Sequence, residues 1–247
     1  MRRITKAIFF DVDFTLIYPG PMFRGEGYRA FCARYGMDVD PDRFEHAVAS
    51  AASLLDRPED TAYDAEIFVK YTRHIIEQMG GAGPRIDDCA REIYAEWAAC
   101  HHFELYPEVP TVLHQLAGAG IRIGLISNSH RCLASFQSHF ELQGLISATV
   151  SSSEHGFMKP HPSIFSAALQ LVNVQAPDAV MVGDSVRQDV EGALSVGMRA
   201  VLLDRRGRAA APAPDISGLR ARGVPVIQSL TEVGDLIMGK WSNGEMA

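Results

Sequence analysis

From residue 105 onward, short apolar runs rich in β-branched residues alternate with longer stretches in which apolar positions recur every three or four residues. The runs are IRIGLIS (121–127), ATVSS (148–152), AVMVGD (179–184), RAVLLD (199–204) and PVIQS (225–229). Between most of them lie VPTVLHQLAGAG, PSIFSAALQLV and VRQDVEGALSVG, helical in period and each closed near glycine or a polar break. Strands that alternate with helices predict an α/β fold, a doubly wound parallel sheet with helices on both faces. AIFFDVDFTLI (7–17) reads as a first strand of the same sheet.

The segment from about 19 to 101 has a different rhythm. EGYRAFCARYG, PDRFEHAVASAASLLD, TAYDAEIFVKYTRHIIEQMG and RIDDCAREIYAEWAAC are four helical patterns, separated by the turn-rich DRPEDT and GGAGP. In the third, Phe68, Tyr71, Ile75, Ile76 and Met79 fall on one face. The expected organisation is an α/β core of residues 1–18 and 102–247, interrupted by an all-helical subdomain over 19–101. RRGRAAAPAPD (205–215) is expected to form a mobile surface loop without a catalytic part.

Composition narrows the function classes. The 247 residues suffice for a sizeable core, and 23 Lys+Arg against 30 Asp+Glu leave a formal charge of -7. That balance argues against sequence-independent binding to nucleic acid or to an anionic membrane. No apolar run reaches membrane-spanning length, and the basic start MRRITK leads into a run broken by Asp11 and Asp13 without an export-signal cleavage pattern. Cys32, Cys89, Cys100 and Cys132 are widely spaced, which fits reduced thiols in a cytoplasmic protein rather than a disulfide framework or zinc site. The adjacent His101 and His102 are taken as structural.

In an open parallel sheet, ligands bind beyond the carboxyl ends of the strands, so the residues that close each apolar run are the candidates. They are Asp11, Asp13 and Thr15 after the first run, Ser127 and Asn128 after the second, and Gly183 and Asp184 after the fourth, with Asp189 further on and Lys159 in between. Taken singly, each has an ordinary explanation as a cap, a turn former or a solvated loop residue. Together, at one end of one sheet, they call for a common one. Four carboxylates against the single cation Lys159 leave a surplus of three negative charges when all are ionised. A phosphate could not enter such a site unaided. A divalent cation would resolve the surplus, and oxygen ligands favour Mg²⁺ over zinc. Hard ligands, a lysine and small hydroxyls are the groups that phosphoryl transfer uses.

In chain order, DVDFTL, SN, KP and GDSVRQD resemble the four motifs of the haloacid dehalogenase superfamily of hydrolases, and the helical insertion after the first resembles that family's cap. The resemblance spans essentially the whole chain and implies a Rossmann-like core and a phosphatase of small phosphomonoesters. By it, Asp11 is the nucleophile that becomes an aspartyl-phosphate, and Asp13 protonates the leaving alkoxide and then activates water. That role needs Asp13 to carry a proton at the outset, which a neighbouring carboxylate would favour. Mg²⁺ would be held by Asp11, the main-chain carbonyl of Asp13, and Asp184. Thr15, Ser127, the Asn128 amide region and Lys159 would bind phosphoryl oxygens, while Asp189 would orient Lys159 or a metal-bound water.

One departure from the family pattern is Phe14, where many members carry glycine, so an altered turn after Asp13 is expected. Dehalogenase action is disfavoured because halide leaves without a proton and dehalogenases lack an acid at the position of Asp13. A phosphomutase shares all four motifs. A signalling receiver domain would place its acidic pair and phospho-accepting aspartate differently, and a non-catalytic binding protein would not need every motif. Arg24 and Arg29 are read as surface residues outside the site. The sequence names neither the phosphorylated metabolite nor the oligomeric state.

Overall fold

The structure, a computed structural model, describes residues 4–55, 61–205 and 216–237, so the surface loop expected over 205–215 lies, beyond Arg205, outside the described residues. The described chain divides into two compact units, one of residues 4–18, 105–205 and 216–237, the other of 19–55 and 61–104.

The first unit is built on a parallel sheet of six strands: β1 (Ala7–Phe10), β4 (Arg122–Ser127), β5 (Ile146–Ser151), β6 (Ala179–Gly183), β7 (Arg199–Leu203) and β8 (Val226–Ile227). Their order is β5-β4-β1-β6-β7-β8. Strand β1 therefore sits at the centre, with Phe10 beside Leu125 on one flank and Val182 on the other. All four of its residues are fully buried, as a strand covered on both faces requires. The flanking helices are α5 (Val109–Gly118), α6 (Leu133–His139), α7 (Ser152–His155), α8 (Pro162–Val172), α9 (Gly192–Ser195), α10 (Ile216–Ala221) and α11 (Thr231–Asp235). Alternation along β1 sends Ala7 and Phe9 into a core with Ile164, Phe165 and Ala168 of α8 and Ala193 of α9. Ile8 and Phe10 face the opposite side, and α5, with Val112, Leu113 and Leu116 buried, stands outside that core.

The first apolar run does not continue as one strand. It leaves the sheet after Asp11, and a tight turn brings the N–H groups of Leu16 and Ile17 onto the carbonyl of Val12. The chain then forms β2 (Ile17–Pro19), which pairs with β3 (Phe103–Leu105) in a separate two-stranded ladder. Three-residue strands carry too little periodicity to be legible in advance.

The second unit contains α1 (Gly25–Arg34), α2 (Phe44–Leu55), α3 (Ala65–Gln78) and α4 (Ile86–Glu96). Asp64 caps α3 by accepting the Glu66 N–H at 2.9 Å, supplying one of the acceptors that a helix start lacks. On α3, Ile67, Thr72, Ile75 and Ile76 are buried, as is Met79 just past its end, whereas Phe68 and Tyr71 are half-buried. Phe68 stacks on Tyr94 of α4 with ring centroids 5.7 Å apart. His102 bonds Glu96 at 3.0 Å, and His101 joins them with ligand-capable atoms all within 4.8 Å, a proximity that their sequence spacing did not suggest. Among the described residues, no helix is long and apolar enough to cross a membrane.

The packing of β1 against β4 leaves no spare room. Phe9 lies in register with Gly124, and a Cβ at Gly124 would stand 2.4 Å from the Phe9 ring. Gly124→Ala is expected to destabilise the fold by about 1–3 kcal/mol through overpacking, read as a lower urea midpoint at unchanged slope.

Candidate active site

Three strand ends bring the chemistry together. The Asp11 N–H donates to the Val182 carbonyl at 2.9 Å, so Asp11 extends the β1/β6 ladder by one step, and Asp184 follows directly on β6. The carboxylates of Asp11, Asp184 and Asp189 have oxygens within 4.8 Å of one another, a group able to hold a metal ion. Oxygen donors of this kind suit a hard divalent cation.

Lys159 lies inside this group, with its side chain 1% exposed. Its Nζ donates to Asp11 Oδ1 and to Asp189 Oδ1, each at 2.6 Å. Burial alone pulls the ammonium down, but the charges of Asp11 and Asp189 outweigh it and hold Lys159 above its ordinary value. Asp189 is pushed up to about 6, first by burial and then by the charge of Asp11, against the opposing pull of Lys159.

Local structure accounts for the position of Asp189. Ser185 caps the following turn by accepting the Gln188 N–H at 3.1 Å, and residues Val186–Glu191 wind as a π-helix before α9. Wide turns of this type recur at functional sites. Here the turn carries the Asp189 carboxylate back under the end of β6, where its Oδ2 accepts the Ser185 N–H at 3.0 Å. Gly183 makes the room: a Cβ there would lie 2.2 Å from the Asp189 carboxyl carbon.

The Asn128 side chain is engaged with the main chain of Lys159. Its Oδ1 accepts the Lys159 N–H at 2.7 Å and its Nδ2 donates to the Lys159 carbonyl at 3.0 Å, so one side chain clasps the main chain on both sides of the lysine. Ser127 is buried, its hydroxyl 2.9 Å from that of Ser129. The Thr15 hydroxyl is buried without a hydrogen-bond partner among the described residues, a state that costs about 1–3 kcal/mol unless a ligand relieves it.

Asp13 points to another partner. Nη1 of Arg131 donates to both of its carboxylate oxygens, at 2.9 and 3.0 Å, and the arginine side chain is wholly buried. The charge beside Asp13 is thus positive, in contrast to the neighbouring carboxylate invoked from the sequence. A second cation also cuts the surplus of negative charge from three to two. Arg131 escaped the sequence reading because it stands four positions beyond Ser127, past the end of the apolar run; the available signal was an arginine inside an otherwise small, polar SNSHRC loop. Phe14 adopts φ 65°, the left-handed region that glycine enters freely, and its N–H donates to the Ile17 carbonyl at 2.6 Å. The turn after Asp13 therefore keeps a glycine-type backbone despite the bulky side chain, at a cost of roughly 1–2 kcal/mol.

Residues 5–197 match the haloacid dehalogenase-like hydrolases, more than half of the chain. The chain belongs to this hydrolase family. It is 27% identical over 241 residues to a ribulose-1,5-bisphosphate 5-phosphatase of Halopiger xanaduensis, covering 95% of this chain and 100% of that protein. It is 29% identical over 217 residues to a glyceraldehyde 3-phosphate phosphatase of Pyrococcus furiosus, with 81% of each covered. In fold it is similar to the crystal structure of a haloacid dehalogenase-type phosphatase from Thermococcus onnurineus, with a TM-score of 0.61 at 23% identity over 96% of this chain and 100% of that one.

For this haloacid dehalogenase-like hydrolase, the Gly183 contact provides a direct probe of the carboxylate–lysine cluster. Gly183→Ala is expected to displace Asp189 and with it Lys159, lowering turnover by about tenfold or more, since small misplacements in such sites are costly. A folded variant with full activity, judged by thermal melting and initial rates, would show that the close approach of β6 to Asp189 has no bearing on the site.

Proposed function

We propose that this hydrolase is a Mg²⁺-dependent phosphatase of small phosphomonoesters acting through an aspartyl-phosphate on Asp11. One observation carries the reading: two carboxylates at alternate positions after one strand have different partners, Asp11 among Lys159, Asp184 and Asp189, and Asp13 on Arg131. Equivalent carboxylates would not divide the labour of attack and proton transfer; these are not equivalent.

In the proposed sequence, Asp13 takes up a proton before the ester is attacked and so enters the step as the acid; Asp11 attacks phosphorus, the bond from phosphorus to the ester oxygen breaks, and that oxygen takes the proton from Asp13. Asp13 next removes a proton from water, which attacks the phosphorus held on Asp11; the acyl phosphate bond breaks and inorganic phosphate leaves, restoring Asp11 as the carboxylate and Asp13 as the acid. Asp11, Asp184 and the main-chain carbonyl of Asp13 would hold Mg²⁺, which when bound offsets the charge of the phosphoryl oxygens and of the carboxylates around them. Lys159 steadies Asp11 and balances phosphoryl charge, Asp189 orients Lys159, and Asn128 fixes the lysine's main chain. The Thr15 hydroxyl, without a partner among the described residues, suits a phosphoryl oxygen, and Ser127 at the end of β4 takes the same role. The all-helical unit takes the part of the family's cap.

A phosphomonoester fits this site better than a haloacid because an alkoxide needs the proton that Asp13 supplies and a halide does not. The relatives named for ribulose-1,5-bisphosphate and glyceraldehyde 3-phosphate support a small phosphorylated metabolite as substrate.

The test is phosphate release from a panel of small phosphomonoesters with and without Mg²⁺. Release that is lost on chelation, restored by added Mg²⁺, and reduced by at least about 10³-fold in Asp11→Asn is the expected result. A folded Asp11→Asn protein that retains wild-type turnover would refute the assignment of Asp11 as nucleophile.

A further inference from the structure

Arg131 lies in the loop between β4 and α6, and the four motifs do not include it. Its residue exposure is 1%, and its side chain is closed off completely from solvent. Taking a guanidinium out of water is costly, and a buried ion pair returns little net stability, so the pair with Asp13 is a poor candidate for a simple staple. What such a pair does supply is direction. Donation from one nitrogen to both Asp13 oxygens restricts the carboxylate to one orientation at the end of the loop that follows β1.

We infer that Arg131 is a positioning residue for the acid–base step, acting on the reaction through Asp13 and not through the substrate. When Asp13 gives its proton to the leaving oxygen it becomes a carboxylate, and the guanidinium stands ready to stabilise that charge in place. The proton goes from Asp13 to the ester oxygen and returns from water; Arg131 keeps its own protons throughout, as an arginine does. The position of the residue also explains how a short polar loop after β4 can serve a group presented by β1: the two strands are neighbours in register, so their ends open onto the same place.

This inference rests on the phosphatase reading, and a double-mutant cycle separates the two. The variants are Arg131→Met, Arg131→Lys, Asp13→Asn and the combinations with Asp13→Asn, each checked for folding by thermal melting and assayed for kcat and KM on the best phosphomonoester of the panel. Arg131→Met is expected to lower kcat by about 10²-fold, the lower end of what acid–base catalysis contributes, with KM within about twofold of wild type. Arg131→Lys should recover part of the loss, because a cation still faces Asp13. In the Asp13→Asn background, either Arg131 change should cost nothing more.

An unchanged kcat in Arg131→Met, a raised KM with kcat intact, or the same fractional loss with and without Asp13 would each overturn the inference while leaving the phosphatase standing. Should Arg131→Met fail to fold, the lysine variant in the two backgrounds decides the matter by the same criterion. If the wild type releases no phosphate from any ester, the phosphatase reading fails and the inference fails with it.

Discussion

A buried ammonium held between two carboxylates is the constraint on which the rest of the site depends. Lys159 reaches Asp11 across 148 residues of chain and Asp189 across 30. Neither end of the triad is stable alone: breaking a buried pair by removing one partner typically costs about 3–5 kcal/mol because a charge is left uncompensated. The surroundings serve to keep the three together. Asn128 grips the lysine's main chain, Gly183 leaves space for Asp189, and Asp11 continues the ladder with β6. Charge neutralisation thus sets where the strand ends must come, and the sheet order satisfies it by placing β1 between β4 and β6.

Most of this architecture was readable in the amino-acid order because it depends on repeated, local signals. Six apolar runs became six parallel strands, and VPTVLHQLAGAG and PSIFSAALQLV became α5 and α8. The four helical patterns before residue 101 appear as α1 to α4. Failures came where a longer-range requirement overruled the local one. The VRQDVEGALSVG stretch has helical periodicity, yet the demand on Asp189 widens its first turn into a π-helix. The run AIFFDVDFTLI looks like one strand, but the chain leaves the ladder after Asp11 and the backbone folds back at Phe14.

For the site, the rule that chemistry gathers at strand ends brought Asp11, Asp184, Asp189 and Lys159 into one list, and these four do lie together. That rule says nothing about what a side chain will bond to. Asn128 illustrates the limit: its place at the end of β4 was evident, whereas its grip on Lys159 depends on two loops whose approach no periodicity encodes. Arg131 illustrates another. A buried arginine is conspicuous only once its burial is known, and in the sequence it is one cation among the 23 Lys and Arg residues of an acidic protein.

The strand order also has a consequence in time. The central strand is the first to be made, and its two neighbours end at Ser127 and Gly183, so more than half the chain must emerge from the ribosome before Ala7–Phe10 can be enclosed on both sides. Until β6 is made, one side of this four-residue, wholly apolar strand lacks its hydrogen-bonding partner, the kind of exposure that makes non-local parallel sheets slow to form and prone to association. The centre of the finished sheet is therefore an edge of the nascent one.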